Sequence, residues 1–178
     1  MRFLLLSIVI ISLVCSCSDD DIDTSTKIYT QEEITKIRDY HDFLNFKNSY
    51  MPLEWYLDSI STEIDESSHP PQFIFYFDVD CGCVGSMREI AQMLKILEES
   101  QVPDSLITLY GMGAKTQPYP EQDLYIINSL PAEFTFGEKS TFSLFDTLRI
   151  WQHFQPGRTF SKEELILKSI RNTTIKES

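Results

Sequence analysis

The spacing of apolar and polar residues predicts most of the elements in this chain. Residues 73–77, FIFYF, form an aromatic and aliphatic run without a charged residue, which is typical of a strand buried on both faces of a sheet. Residues 105–113, SLITLYGMG, predict a second strand that ends at its glycines. Apolar residues at helical spacing predict helices over 86–99 and 161–171, and Ser161 caps the second of them.

Three further elements are predicted between and after these. Residues 121–130, which prolines bound on both sides, predict a short helix. The segments 141–146, TFSLFD, and 149–154, RIWQHF, predict two strands joined by a tight connection. From residue 71 the predicted order is therefore β-α-β-α-β-β-α, which indicates an α/β fold.

The region before this core predicts a helical extension. Thr30 and Glu33, three residues apart, form a capping box, and an amphipathic helix is expected over 31–46. We interpret residues 30–69 as an extension that packs on the main domain. The inward stripe of the helix is expected to consist of Ile34, Ile37, His41 (as a half-buried residue rather than a ligand) and Leu44.

Net charge and the absence of certain motifs narrow the classes of function that the chain can have. The chain has 15 basic and 27 acidic residues, a formal net charge of -12, so its surface repels phosphate backbones. No stripe of basic and aromatic residues is present in the sequence, and nucleic-acid binding is therefore disfavoured. No sequence motif for a cofactor or for a structural metal is present either, and we predict neither.

The first residues resemble the signal of a bacterial lipoprotein. Residues 3–14 are apolar apart from two serines, too short for a membrane span of about 20 residues but as long as a signal-peptide core. The sequence VCSC at 14–17 resembles a lipobox, which implies a signal peptide over 1–16 and lipid attached to Cys17. A plain secretory signal cleaved nearby is the alternative.

The residues after Cys17 indicate where the protein is sent. The sequence SDDD at 18–21 resembles the acidic signal that exports lipoproteins of Bacteroidota to the cell surface. This resemblance implies an acidic tether over 17–29 and a lipid-anchored protein of the outer membrane, exposed on the cell surface. The periplasmic face of the outer membrane is the alternative. Because the chain is acidic, membrane contact is expected through the lipid alone.

The cysteine pair is the candidate for chemistry. With Cys15 removed in the signal peptide and Cys17 lipidated, Cys81 and Cys83 remain, as expected for an oxidising compartment. Residues two apart on a helix point about 200° apart, so a disulfide between them needs a tight non-helical turn. Gly82 allows such a turn, and the strained bond is expected to be labile and oxidising.

The element order, with paired cysteines between the first strand and its helix, resembles the thioredoxin-like fold over 71–171. The tail resembles that of thioredoxin-like lipoproteins of Bacteroidota, with Asp146, Pro156 and the closing helix at matching places. The resemblance implies a three-layer α/β/α sandwich over 70–178, preceded by the helical extension. It also implies thiol–disulfide chemistry at the cysteine pair.

The sequence departs from the family in three ways. The family carries Cys-x-x-Cys, whereas only Gly82 separates the cysteines here. The family usually has Trp before the first cysteine, and Asp80 stands there. The family places a cis-proline before the third core strand, a position that the predicted strands assign to Ser140, with Pro131 too far upstream.

Three functions remain open from the sequence. In the first, an oxidoreductase or isomerase, Cys81 attacks and Cys83 resolves, and the partner is a protein or thiol substrate. In the second, the chain is a redox-silent binding or structural lipoprotein of the surface. In the third, the two thiols hold Cu(I), with His153 as the candidate third ligand.

Aromatic residues offer one feature for the binding alternative. We interpret them as packing in the core or at its rim, with an aromatic binding face as the second interpretation. They are Trp55, Tyr56, Trp151 and the tyrosines within 119–125.

Overall fold

The computed structural model describes residues 26–37, 40–80, 84–113, 119–120, 122, 126–127, 129–144, 147 and 160–174. Within these ranges the chain is a mixed α/β structure with one five-stranded mixed sheet and five helices. No helix in the described ranges is long and apolar enough to cross a membrane.

The elements begin and end at the following residues. The strands are β1 (Lys27–Ile28), β2 (Gln72–Asp78), β3 (Ile107–Met112), β4 (Ala132–Phe136) and β5 (Thr141–Ser143). The helices are α1 (Gln31–Ile34), α2 (Phe43–Ser49), α3 (Glu54–Asp65), α4 (Val84–Glu99) and α5 (Lys162–Thr173).

The sheet has the strand order β1-β3-β2-β4-β5, which puts β2 at its centre. The strands β2 and β3 are parallel, because the chain returns between them through α4. The other three pairs, β1 with β3, β2 with β4 and β4 with β5, are antiparallel. Lys27 and Ile28, which the predicted boundary assigns to the tether, form the edge strand.

Two hydrophobic clusters cover the two faces of β2. On the first face, called here the helical face, Phe73, Phe75 and Phe77 pack against residues of all five helices. On the opposite face, Ile74 and Tyr76 pack with residues of β3, β4 and the segment between them. Those partners are Met112, Ile127, Ala132 and Phe134.

The extension is part of the main core. The helix α2 packs on α4, and α3 packs on α5. Lys47, which is nearly buried, donates through Nζ to Gln31 Oε1 at 2.7 Å and pairs with Glu98 Oε2 at 2.7 Å. Arg171 Nε pairs with Glu63 Oε1 at 2.7 Å, which joins α5 to α3.

A buried carboxylate fixes the segment between α2 and α3 to the start of α5. Glu163 Oε1 accepts hydrogen bonds from the Tyr50 hydroxyl at 2.9 Å and from the Leu53 backbone N–H at 3.3 Å. Burial, and then the hydrogen bond to Glu163, raise the pKa of Tyr50. Tyr50 therefore stays protonated and serves as a donor at neutral pH.

The strongly periodic elements are confirmed. The strands β2 and β3 and the helices α4 and α5 lie where the spacing predicts them. The capping box at α1 is present, with Glu33 N donating to Thr30 Oγ1 at 3.2 Å and Thr30 N to Glu33 Oε2 at 2.8 Å. Ser161 Oγ accepts from Glu164 N at 3.1 Å at the start of α5.

The predicted helix over 31–46 is wrong in its continuity and in its inward stripe. It consists of α1 and α2 with a break between them, so the helical phase is reset. Tyr40 and Phe43 are buried, whereas His41 and Leu44 are exposed. The break is favoured because it buries two aromatic side chains in place of an imidazole and one leucine.

The predictions between β3 and α5 are partly wrong. A helix is predicted over 121–130, but the described residues of this range, 122, 126–127 and 129–130, are not helical. The strand β4 was missed, because it buries Glu133 and Thr135 on the helical face, where the sequence pattern indicates solvent. The strand predicted over 141–146 is confirmed only for the three residues of β5, and the predicted strand 149–154 lies outside the described residues.

Candidate functional site

The predicted catalytic residues Cys81 and Cys83 lie outside the described residues, as does the predicted lipidation residue Cys17. Their neighbours in sequence are described. The central strand β2 ends at Asp78, and α4 begins at Val84. The cysteine segment therefore leaves the carboxyl end of the central strand and leads directly to the N-terminus of a 16-residue helix.

The carboxyl end of β2 closes in a hydrogen-bonded turn. Asp78 Oδ1 accepts from the backbone N–H of Asp80 at 2.9 Å, and Val79 N donates to Met112 O at 2.9 Å. The Tyr40 hydroxyl donates to the backbone carbonyl of Asp78 at 2.7 Å. The backbone that leads to the cysteines is thus held from the sheet side and from the extension.

Aromatic residues of the extension lie beside this end of the sheet. The rings of Tyr29 and Tyr40 each contact Phe77 edge-on, with centroids 5.5 Å apart. The Arg88 guanidinium, one turn into α4, lies 5.0 Å above the ring of Phe46. The extension therefore borders the start of α4 rather than lying at the far end of the sheet.

A proline stands at the same end of the sheet. The Leu130–Pro131 peptide bond is cis, and the next residue, Ala132, begins β4 and pairs with Tyr76 of β2. The prediction that Ser140 occupies the place before the third core strand is wrong, because β4 begins nine residues earlier than expected. Ser140 lies instead in the turn before β5, where its hydroxyl donates to the carbonyl of Asn172 at 3.0 Å.

A buried carboxyl group, which the sequence analysis missed, lies on β4. Glu133 pairs with Phe75 across the sheet and is 1% exposed on the helical face. Neither of its carboxyl oxygens has a hydrogen-bond partner among the described residues. Burial first, and then the charge of Glu89, raise the pKa of Glu133 to about 8, while Lys162 acts in the opposite direction.

The charged groups near Glu133 lie close to the N-terminal ends of two helices. Glu89 lies in the second turn of α4, and Lys162 begins α5; their Oε2 and Nζ atoms are 2.9 Å apart. Glu133 thus lies beneath the end of α4 that follows the cysteine segment. At neutral pH its carboxyl group is mostly protonated, so it can take up or release a proton near pH 8.

The two histidines among the described residues are not part of a metal-binding group. The side chain of His41 is 75% exposed and lies 3.4 Å from Asp42, while His69 is exposed and lies 3.4 Å from Glu138. His153 lies outside the described residues, as do Trp151, Asp146 and Pro156. Among the residues that the structure describes, no group of three His, Cys, Asp or Glu side chains could hold a metal ion.

The raised pKa of Glu133 predicts a specific pH dependence of stability. The unfolded chain ionises this group near pH 4.5, whereas the folded protein keeps it neutral up to about pH 8. The unfolded state therefore binds fewer protons between these values, and stability falls as pH rises, by at most about 1.4 kcal/mol per pH unit. Glu133→Gln removes this contribution, so the difference in unfolding free energy, mutant minus wild type, increases from pH 5 to pH 8.

Urea denaturation at several pH values measures that difference. The exposed Glu54→Gln variant is the matched control and is expected to follow the wild type at every pH. A difference between Glu133→Gln and the wild type that is constant with pH would contradict the buried neutral carboxyl.

Comparisons of the chain with protein-family models, with curated proteins and with solved structures found no match.

Proposed function

We propose that this chain is a lipid-anchored, thioredoxin-like thiol–disulfide oxidoreductase or isomerase that acts through Cys81 and Cys83. One observation carries the proposal. The segment with both cysteines connects the carboxyl end of the central strand to the N-terminus of α4, and Pro131 enters β4 at that same end of the sheet.

The topology supports a thioredoxin-like core. From β2 onward the described elements follow the order β-α-β-β-β-α, with β2 and β3 parallel and β4 and β5 antiparallel. The helices α4 and α5 pack on one face of the sheet. The proposed three-layer sandwich needs cover on the opposite face as well, and there Tyr119 and Ile127 pack with Ile74 and Tyr76 of β2.

The proposed exchange reaction is reversible: it passes two electrons between the cysteine pair and a substrate disulfide, and the strained Cys81–Cys83 bond favours their return from the substrate thiols. The Cys81 thiolate attacks one substrate sulfur, the substrate S–S bond breaks, a mixed disulfide forms and one substrate thiolate leaves. The Cys83 thiolate then attacks the sulfur of Cys81 and releases the second substrate thiolate. The two protons lost by the cysteines neutralise the two leaving thiolates.

Two features of the described residues favour this chemistry. The positive end of α4 stabilises an anion beside it by about 0.3–1 kcal/mol, and the Asp78 carboxylate that opposes it is engaged by the Asp80 N–H. The pKa of Glu133, about 8, is close to that of an ordinary thiol, about 8.5. We propose that Glu133 exchanges a proton with a cysteine thiol, as donor when it is neutral and as acceptor in its ionised fraction, since matched pKa values favour transfer in either direction.

The proposal also includes a lipid anchor at Cys17. Lipid on Cys17 followed by nine tether residues, 18–26, holds β1 within about 30 Å of the membrane, because an extended residue spans about 3.4 Å. The acidic tether keeps the folded part in solvent. We place the protein on the cell surface of the outer membrane.

Cysteine substitution tests the reaction. Cys81→Ser is expected to abolish thiol–disulfide exchange with glutathione disulfide, because the attacking sulfur is lost. Cys83→Ser is expected to stop after one step and to accumulate the mixed disulfide on Cys81, which mass spectrometry of the intact protein detects. Glu133→Gln is expected to slow the reaction on the order of tenfold or more at pH 7.

The exposed Val84→Ala variant, next to the pair in sequence, is the matched control and should react like the wild type. If either serine variant turns over glutathione disulfide at the wild-type rate, the cysteine pair is not the reacting centre.

The anchor predicts how the protein fractionates. Cys17→Ala removes the lipid attachment site and should move the protein from the membrane to the soluble fraction of cell extracts, whereas Cys15→Ala should leave it in the membrane. Protease accessibility on intact cells then tests the surface location. A membrane-bound Cys17→Ala variant would contradict lipid attachment at this residue.

A further inference from the structure

A pocket lies between α3 and α5, on the interface of the extension with the main domain. Its volume is about 290 Å³, near the lower limit for small-molecule sites. It has no residue in common with the proposed exchange site. Its lining residues are Trp55, Tyr56, Glu164, Leu167, Lys168 and Arg171.

A flat aromatic surface forms one wall of this pocket. Trp55 is 62% exposed, so the interpretation of Trp55 as a core or rim residue is wrong. Its ring lies against that of the half-buried Tyr56, with centroids 3.5 Å apart and planes inclined by 31°. The tyrosine supports the indole, and the indole presents a large apolar face to solvent. Such a face is suited to a ligand that is itself flat and apolar on one side.

The opposite wall is polar and carries charges of both signs. Glu164 and Lys168 lie one helical turn apart on α5, and Arg171 follows one turn later. Arg171 is paired with Glu63, so two acids and two bases surround the pocket. Their charges cancel, which disfavours selection for a strongly charged ligand. Together they supply hydrogen-bond donors and acceptors.

The position of the pocket also disfavours a peptide. Both walls are helices, whose internal backbone groups bond within the helix and cannot add a strand. A bound amphipathic helix needs a long apolar groove, whereas the floor here is Leu167, which is 5% exposed. Recognition must therefore come from one aromatic face and from side-chain hydrogen bonds.

We propose that this pocket binds a neutral sugar ring of a glycan. The C–H face of the pyranose packs on the Trp55 indole, and the sugar hydroxyls exchange hydrogen bonds with Glu164, Lys168 and Arg171. A sugar combines an apolar face with a rim of hydroxyls that both donate and accept, which matches the two walls. This binding site goes beyond the proposed exchange function and does not depend on it.

Saturation-transfer NMR on the purified protein tests the proposal. The probes are the methyl glycosides of glucose, galactose, mannose and N-acetylglucosamine, with methyl glucuronide as the charged comparison. At least one neutral glycoside should receive saturation on its ring protons. Trp55→Ala should weaken its binding by about tenfold or more, because the stacking face is lost. Circular dichroism verifies that this surface variant is folded.

Two further variants distinguish stacking on Trp55 from a general effect of losing an apolar surface side chain and from binding through charge. Met51→Ala removes another exposed apolar side chain, 87% exposed and outside the pocket lining, and should leave the affinity within about twofold. Lys168→Gln keeps a hydrogen-bonding group without the charge and should change the affinity for a neutral glycoside by less than about threefold. The proposal is overturned if no neutral glycoside binds, if Trp55→Ala binds like the wild type, or if only the glucuronide binds and Lys168→Gln abolishes it.

Discussion

Burial of β2 on both faces is the constraint on which the rest of this structure depends. Phe73, Phe75 and Phe77 require cover on one face, and Ile74 and Tyr76 require it on the other. Each such side chain contributes roughly 1.5–3 kcal/mol when fully buried, so the strand is stable only between two neighbours and under helices. The extension supplies part of that cover through α1, α2 and α3. The central position of β2 then fixes where its carboxyl end lies, and with it the point from which the cysteine segment starts.

The same burial gives Glu133 its properties. A carboxyl group on the helical face of β4 cannot be hydrated, and its ionisation in that position is costly. A protein selected for stability alone would have an apolar residue at this position. Glu133 therefore lowers stability, as residues retained for function often do. Its position under the first turns of α4 links the core to the proposed chemistry, since a carboxyl group that burial keeps neutral can give its proton to a thiolate and take one back once it is ionised.

The sequence predicted those parts of the fold in which period and burial agree. The strands β2 and β3 and the helices α4 and α5 are of this kind. The strand β4 is not, because Thr135 is buried against Ser169, with Oγ atoms 2.8 Å apart, and Glu133 is buried without such a partner. The contact with Ser169 satisfies Thr135, and the retained proton keeps Glu133 neutral; neither effect can be read from the local sequence pattern. The break between α1 and α2 has a similar origin in the bond from Tyr40 to the Asp78 carbonyl.

The site could be predicted only in part for the same reason. The sequence pattern predicted that the cysteine segment lies between a strand and a helix. In the structure, β2 ends before this segment and α4 begins after it. The structure begins β4 at Ala132, directly after Pro131, and buries Glu133. Because the sequence pattern does not reveal this strand, it puts Pro131 too far upstream and gives no reason to single out Glu133. The reduction potential of the Cys81–Cys83 pair, measured by trapping thiols across glutathione ratios, tests most directly whether this pair carries out thiol–disulfide exchange. A single reversible two-electron transition around -180 mV, absent from Cys81→Ser, is the predicted result. Thiols that stay free at every ratio, or a disulfide that never reduces, would contradict a redox function.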